Sequence, residues 1–141
     1  FMGVGKTSTG TLLAGHLGLP FLDLDQVICA RTGLTIPDLF ASRGEEGFRR
    51  SEAEALASLS SRAAVVAVGG GAPTKPGNLA RMRATGTVVL LRATPDTLVR
   101  RLSADSARKA RPLLATTPPS ALPARVAELL GQRAAAYAQA D

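Results

Sequence analysis

The sequence predicts an α/β domain built on a parallel sheet, and three features carry that reading. Residues 63–68 and 87–91 are apolar runs of strand length without polar alternation, the pattern of strands covered on both faces. Segments of helical pattern precede, separate and follow them. The chain also opens with Gly3-Val4-Gly5-Lys6-Thr7, a glycine-rich turn running into a helix at 7–17. This is most of the P-loop pattern G-x-x-x-x-G-K-[ST], in which a strand, a turn and a helix hold phosphate.

Gly3 and Gly5 allow a tight turn, so that the amides from Val4 to Ser8 can face an anion. Lys6 supplies a full charge for the β- and γ-phosphates, and the Thr7 hydroxyl suits Mg²⁺. The helix behind them turns its positive end to the same place. Phe21-Leu22-Asp23-Leu24-Asp25 reads as a short strand. Its two acids share a face at the strand's carboxyl end, where α/β sheets collect ligands. They suit Mg²⁺ and a substrate hydroxyl, or alternatively a cap on the next helix.

That helix covers 26–31. Thr35-Ile36-Pro37-Asp38 opens a short helix to Ser42, ending before Gly44. A longer helix, 45–61, places Phe48, Ala55, Leu56 and Leu59 on one stripe. By spacing alone Glu45, Arg49 and Glu52 form a surface ion-pair ladder. The run 63–68 leads into Gly69-Gly70-Gly71, which predicts close backbone approach to a ligand. Helices are expected at 76–84, 94–104 and 123–138. The proline-rich, basic stretch at about 105–122 suits a mobile lid.

At 141 residues and 45% apolar content the chain suffices for one domain with a core. No run approaches the 18 apolar residues of a membrane span, and no signal peptide is visible. The single cysteine, Cys29, forbids an internal disulfide; it is read as a packing residue, and a cytoplasmic setting is expected. The net charge of +6 is scattered and lacks aromatic interleaving, so it predicts small anions rather than nucleic acid.

Taken together, these residues resemble shikimate kinase over essentially the whole chain. The matching stretches are Gly3-Val4-Gly5-Lys6-Thr7, the strand from Phe21 to Asp25, Arg31-Thr32-Gly33, and Ile36-Pro37-Asp38-Leu39-Phe40. They continue with Gly44-Glu45-Glu46-Gly47-Phe48-Arg49, Gly69-Gly70-Gly71, Arg111-Pro112-Leu113-Leu114, and Arg133 four residues before Tyr137. The resemblance implies a three-layer P-loop kinase fold with a parallel sheet in order 2-3-1-4-5. On that reading one domain covers 1–141 and its first and last strands are missing. The chain is then expected to be less stable than a version extended at both ends.

The resemblance also implies phosphorylation of the 3-hydroxyl of shikimate by ATP with Mg²⁺, on the route to chorismate and aromatic amino acids, by a monomer. Lys6, Asp25 and Arg111 would be catalytic. Gly3, Val4, Gly5, Lys6, Thr7, Ser8, Arg101 and Arg111 would hold the nucleotide, with Arg108 competing with Arg101 for adenine. Thr7 and Asp23 would serve the metal. Asp25, Arg49, Gly69, Gly70, Gly71 and Arg133 would bind shikimate, the two arginines at its carboxylate. Phe40, Phe48, Glu52 and Leu113 would line the pocket. A P-loop kinase of another hydroxylated acid, such as gluconate, and a non-catalytic nucleotide-binding module are the alternatives.

Overall fold

The computed structural model describes residues 1–104 and 111–141. Arg108 and the first part of the expected lid lie outside the described residues. In chain order the elements are α1 (Lys6–Leu17), β1 (Phe21–Asp23), α2 (Leu24–Thr32), α3 (Ile36–Leu59), β2 (Val65–Ala67), α4 (Asn78–Thr85), α5 (Pro95–Leu102), α6 (Pro112–Ala115) and α7 (Leu122–Tyr137). Strands β1 and β2 pair in parallel, with Phe21 opposite Val65, Leu22 opposite Val66 and Asp23 opposite Ala67. No other strand pairs among the described residues, so the rest of the 2-3-1-4-5 order has no counterpart here.

Local chemistry explains most boundaries. Gly5, in the left-handed region at φ 102°, opens α1, and Gly18 closes it in the same region. The Thr35 hydroxyl accepts from the Asp38 amide to start α3, and Thr94 does the same for α5 through the Thr97 amide. Gly44, at φ 66° and ψ −177°, breaks α3 at the expected point.

Three expectations need correction. The strand expected over 21–25 ends at Asp23, whose carboxylate accepts the Asp25 amide at 3.0 Å and caps α2. Asp25 therefore stands on a helix's first turn and not on the strand beside Asp23. Second, 87–91 forms no ladder. Among the described residues Val88 bonds only to Asp141, through the Asp141 carboxylate (2.9 Å) and amide (3.0 Å), and Val89 is 65% exposed. Third, the helix expected from 76 starts at Asn78, because Gly77 takes φ 83°. In the described part of the expected lid, Pro112–Ala115 is helical and Leu114 is fully buried.

Strand β2 is only half-buried. Between it and 87–91 runs an apolar groove of about 160 Å³, walled also by Phe1, Leu13, Leu79 and Tyr137.

Two apolar cores flank the site. One joins Leu24 and Ile28 of α2 to Leu39, Phe48, Ala55, Leu56 and Leu59 of α3 and Met82 of α4. The other joins Phe1 and Val4 to Leu98 and Leu102 of α5, Leu114 of α6, and Leu122, Val126 and Leu129 of α7. Leu102 carries the phosphate loop, since a Cβ on Gly3 would meet its side chain at 3.3 Å. Leu102→Ala is expected to destabilise the fold by about 2–5 kcal/mol, read as a lower urea midpoint at unchanged m. A midpoint within error of the parent would refute this packing.

Candidate active site

A cavity of about 700 Å³ opens between the two cores, within the range of small-molecule sites. Gly3, Val4, Gly5, Lys6, Thr7 and Ser8 form one wall. Gly3 and Gly5 both take positive φ, at 73° and 102°, the backbone that a phosphate-cradling turn requires. The Lys6 ammonium folds onto the Phe1 carbonyl at 2.8 Å. Asp23, Asp25, Arg49, Gly69, Gly70, Gly71, Arg101, Arg111 and Arg133 line the same cavity, as do Phe40, Phe48, Glu52 and Leu113. Five cations (Lys6, Arg49, Arg101, Arg111, Arg133) thus face three carboxylates (Asp23, Asp25, Glu52), a surplus that favours anions.

At the phosphate-loop end, the Thr7 hydroxyl reaches Asp23 Oδ2 at 3.3 Å. These are hard oxygen donors of the kind Mg²⁺ takes. No group of three or more His, Cys, Asp or Glu among the described residues could hold an ion alone. Arg101 donates to the Gly3 and Val4 carbonyls at 3.0 and 3.2 Å, so it braces the loop. Burial pushes the Lys6 pKa down, against the pull of Asp25 and Asp23, and the Arg111 and Arg133 charges push the same way.

Asp25 is accessible to the cavity yet recessed in it. That partial desolvation, and then the neighbouring Asp23 carboxylate, raise its pKa above the ordinary carboxylate range, with Lys6, Arg49 and Arg111 opposing.

At the opposite end the Glu45–Arg49–Glu52 ladder exists, but only Glu45 stands at the surface. Arg49 Nη1 donates to Glu52 Oε2 at 2.8 Å and Nη2 to Glu45 Oε1 at 3.2 Å, with Arg49 8% and Glu52 0% exposed. Spacing identifies the pairs; burial depends on contacts that spacing does not encode. Phe48 lies under the Arg49 guanidinium at 5.0 Å and against Phe40 at 4.6 Å between ring centroids. Arg133, 6% exposed, sits over the Phe1 ring at 5.4 Å. Two buried polar atoms among the described residues meet no partner in good hydrogen-bond geometry, Glu52 Oε1 and Arg133 Nη1. Burial raises the Tyr137 pKa, and the Arg133 guanidinium beside its hydroxyl opposes that rise.

Gly69-Gly70-Gly71 forms the floor between them. A Cβ on Gly69 would strike Glu52 Oε1 at 2.6 Å, and one on Gly71 the Arg49 guanidinium at 2.5–2.8 Å. Sequence alone gives Tyr137 no role at the site. Its hydroxyl donates to the Gly70 carbonyl at 2.7 Å, and its spacing of four from Arg133 on α7 is the one local signal.

A glycine-rich phosphate loop, a helix N-terminus behind it and a cation-lined cavity beyond define a P-loop phosphotransferase. The shikimate kinase family profile matches residues 2–141. The chain is 45% identical to a shikimate kinase of Synechococcus sp. (strain CC9605), over 99% of this chain and 68% of that protein. It is 47% identical to one of Nitrosospira multiformis, over 96% of this chain and 67% of that protein. Among solved structures, a shikimate kinase from Acinetobacter baumannii in complex with shikimate superposes with a TM-score of 0.89 at 39% identity, covering 98% of this chain and 74% of that one. The enzyme from Bacteroides thetaiotaomicron gives 0.91 at 39% identity, over 100% and 80%. The chain belongs to the shikimate kinase family, and is an ATP-dependent kinase with an alcohol acceptor.

Proposed function

We infer that this protein transfers the γ-phosphate of ATP to the 3-hydroxyl of shikimate, giving shikimate 3-phosphate and ADP in aromatic amino acid biosynthesis. The observation that carries the acceptor assignment is that two nearly buried guanidiniums, Arg49 and Arg133, line the same cavity as the phosphate loop. Two guanidiniums at one end suit a carboxylate, and a phosphate loop at the other suits ATP.

In the reaction the acceptor oxygen attacks the γ-phosphorus and forms the new P–O bond. The bond from that phosphorus to the β–γ bridging oxygen breaks, and ADP leaves with the electron pair. The acceptor proton passes to the Asp25 carboxylate, which stands 18 residues after Thr7 in sequence yet on the same cavity wall. Lys6 would meet the β- and γ-oxygens, and Arg111 the charge spreading over the transferred group. Arg101, which braces the loop, is placed for the nucleotide side. Mg²⁺ would be held by the Thr7 hydroxyl and, through water, by Asp23; when bound it neutralises phosphate charge. The segment from Arg111 would complete a lid over the phosphates. A cytoplasmic monomer is the setting of this reading; no helix among the described residues is long and apolar enough to cross a membrane.

A coupled ADP-release assay with shikimate, with gluconate and with no acceptor tests the reading. Shikimate-dependent release is expected; release with gluconate alone, or none, would overturn it. The pH profile follows from Asp25. A carboxylate accepts a proton only when ionised, so activity is full above its pKa and falls as pH drops through it. Because that pKa is raised, the acid limb of kcat/KM is expected above the ordinary value of about 4. Asp25→Asn should abolish turnover while ATP binding survives. Near-normal kcat in that variant would remove Asp25 from the chemistry.

A further inference from the structure

Three consecutive glycines give the floor of the acceptor end the largest backbone freedom that a chain can have. Each of their carbonyls is nevertheless tied. Gly69 O accepts from the Ala72 amide at 3.0 Å, and Gly71 O from the Thr74 amide at 3.1 Å and its hydroxyl at 2.7 Å. Both tethers come from the turn that follows directly. Gly70 O is held differently, by the Tyr137 hydroxyl at 2.7 Å, from a helix 67 residues further along. Tyr137 does not line the cavity. It stands behind the strip, in the wall of the apolar groove, and so is out of reach of a substrate.

The hold has two consequences for the cavity face. A trans peptide is planar, with C=O and N–H pointing in opposite directions. Fixing the Gly70 carbonyl toward Tyr137 therefore fixes the Gly71 amide away from it. The second consequence concerns Arg133. A Cβ on Gly70 would meet both Arg133 Nη1 and the Tyr137 hydroxyl at 3.1 Å, so all three groups converge on one point. Arg133 and Tyr137 are one helical turn apart on α7, and the guanidinium rests between the Gly70 backbone and the Phe1 ring.

We propose that Tyr137 is a positioning residue for acceptor binding: it locks the Gly70–Gly71 peptide and, through that strip, the seat of the Arg133 guanidinium. The proposal rests on the reading of Arg133 as a carboxylate ligand. The phosphate-loop wall is held by Arg101 and Leu102 instead, so Tyr137 leaves nucleotide binding alone.

Tyr137→Phe removes the hydroxyl and keeps the ring in the groove. It is expected to raise KM for shikimate about five- to ten-fold, the scale of one neutral hydrogen bond, with KM for ATP within about two-fold. In an Arg133→Ala background the same change should add little further loss, since the two act as a unit. An activity-independent readout accompanies these. In the unliganded protein the Gly71 amide order parameter should fall from about 0.85 toward 0.6 in Tyr137→Phe. An unchanged order parameter, an unchanged KM for shikimate, equal rises for both substrates, or additivity with Arg133→Ala would each overturn the proposal. A parent enzyme without shikimate-dependent ADP release, but with a Gly71 amide that loosens in the variant, would overturn the functional reading and leave the anchor standing.

Discussion

Arg133→Ala is expected to lower kcat/KM for shikimate about 30- to 1,000-fold, equivalent to about 2–4 kcal/mol, while KM for ATP changes little. The size follows from where the side chain sits. Arg133 lines the cavity and is only 6% exposed, so a carboxylate paired with its guanidinium would gain a charge-assisted contact in a desolvated setting. The folded state itself gains less from Arg133. Contact with the Phe1 ring contributes on the order of 0.5–2 kcal/mol, and proximity to Lys6 opposes it through like charge. The melting temperature should therefore move by a few degrees at most. Arg133→Lys should recover only part of the activity, since an ammonium lacks the planar fork. Steady-state kinetics in both substrates beside a thermal melt test this. Equal losses for ATP and shikimate, or a melt shift large enough to account for the kinetics, would return Arg133 to a structural role.

Lys6→Met should reduce kcat by at least about 100-fold, the scale of removing one preorganised charge from the stabilisation of a transition state. Stability should move the other way or not at all. Burial lowers the Lys6 pKa, which means that folding disfavours its charge. A base with a lowered folded pKa costs stability wherever the unfolded chain would keep it protonated, below about pH 10. Methionine retains the stem and removes that cost. An inactive variant with an equal or higher melting temperature is the expected result. Activity within ten-fold of the parent would exclude Lys6 from the phosphate contact.

The contrast between these residues and the sheet shows what the sequence made legible. The phosphate loop could be read because its glycines, lysine and threonine act within five residues of one another, and helix starts at Thr35 and Thr94 are equally local. The run 87–91 was legible as apolar, but its exposure was not, since cover depends on elements contributed from elsewhere in the chain. Asp23 shows the limit of periodicity: a two-residue step looks like a strand face until the side chain turns back to take the Asp25 amide. Arg49 shows another. Its i+3 and i−4 partners were readable, but the burial of Arg49 and Glu52 against the glycine strip is a long-range fact. The bond from Tyr137 to Gly70 is of the same kind, and only the four-residue spacing to Arg133 hinted at it.

The glycine strip also bears on how the protein can drift under selection. Every single-nucleotide missense change of a glycine codon introduces a Cβ. At Gly69 that carbon would collide with the Glu52 carboxylate and at Gly71 with the Arg49 guanidinium, both anchored on α3. Escape by mutation at these codons would displace the groups proposed to hold the acceptor. A competitive inhibitor that spends its contacts on the backbone of 69–71, and not on the apolar rim, should therefore meet few viable resistance alleles there.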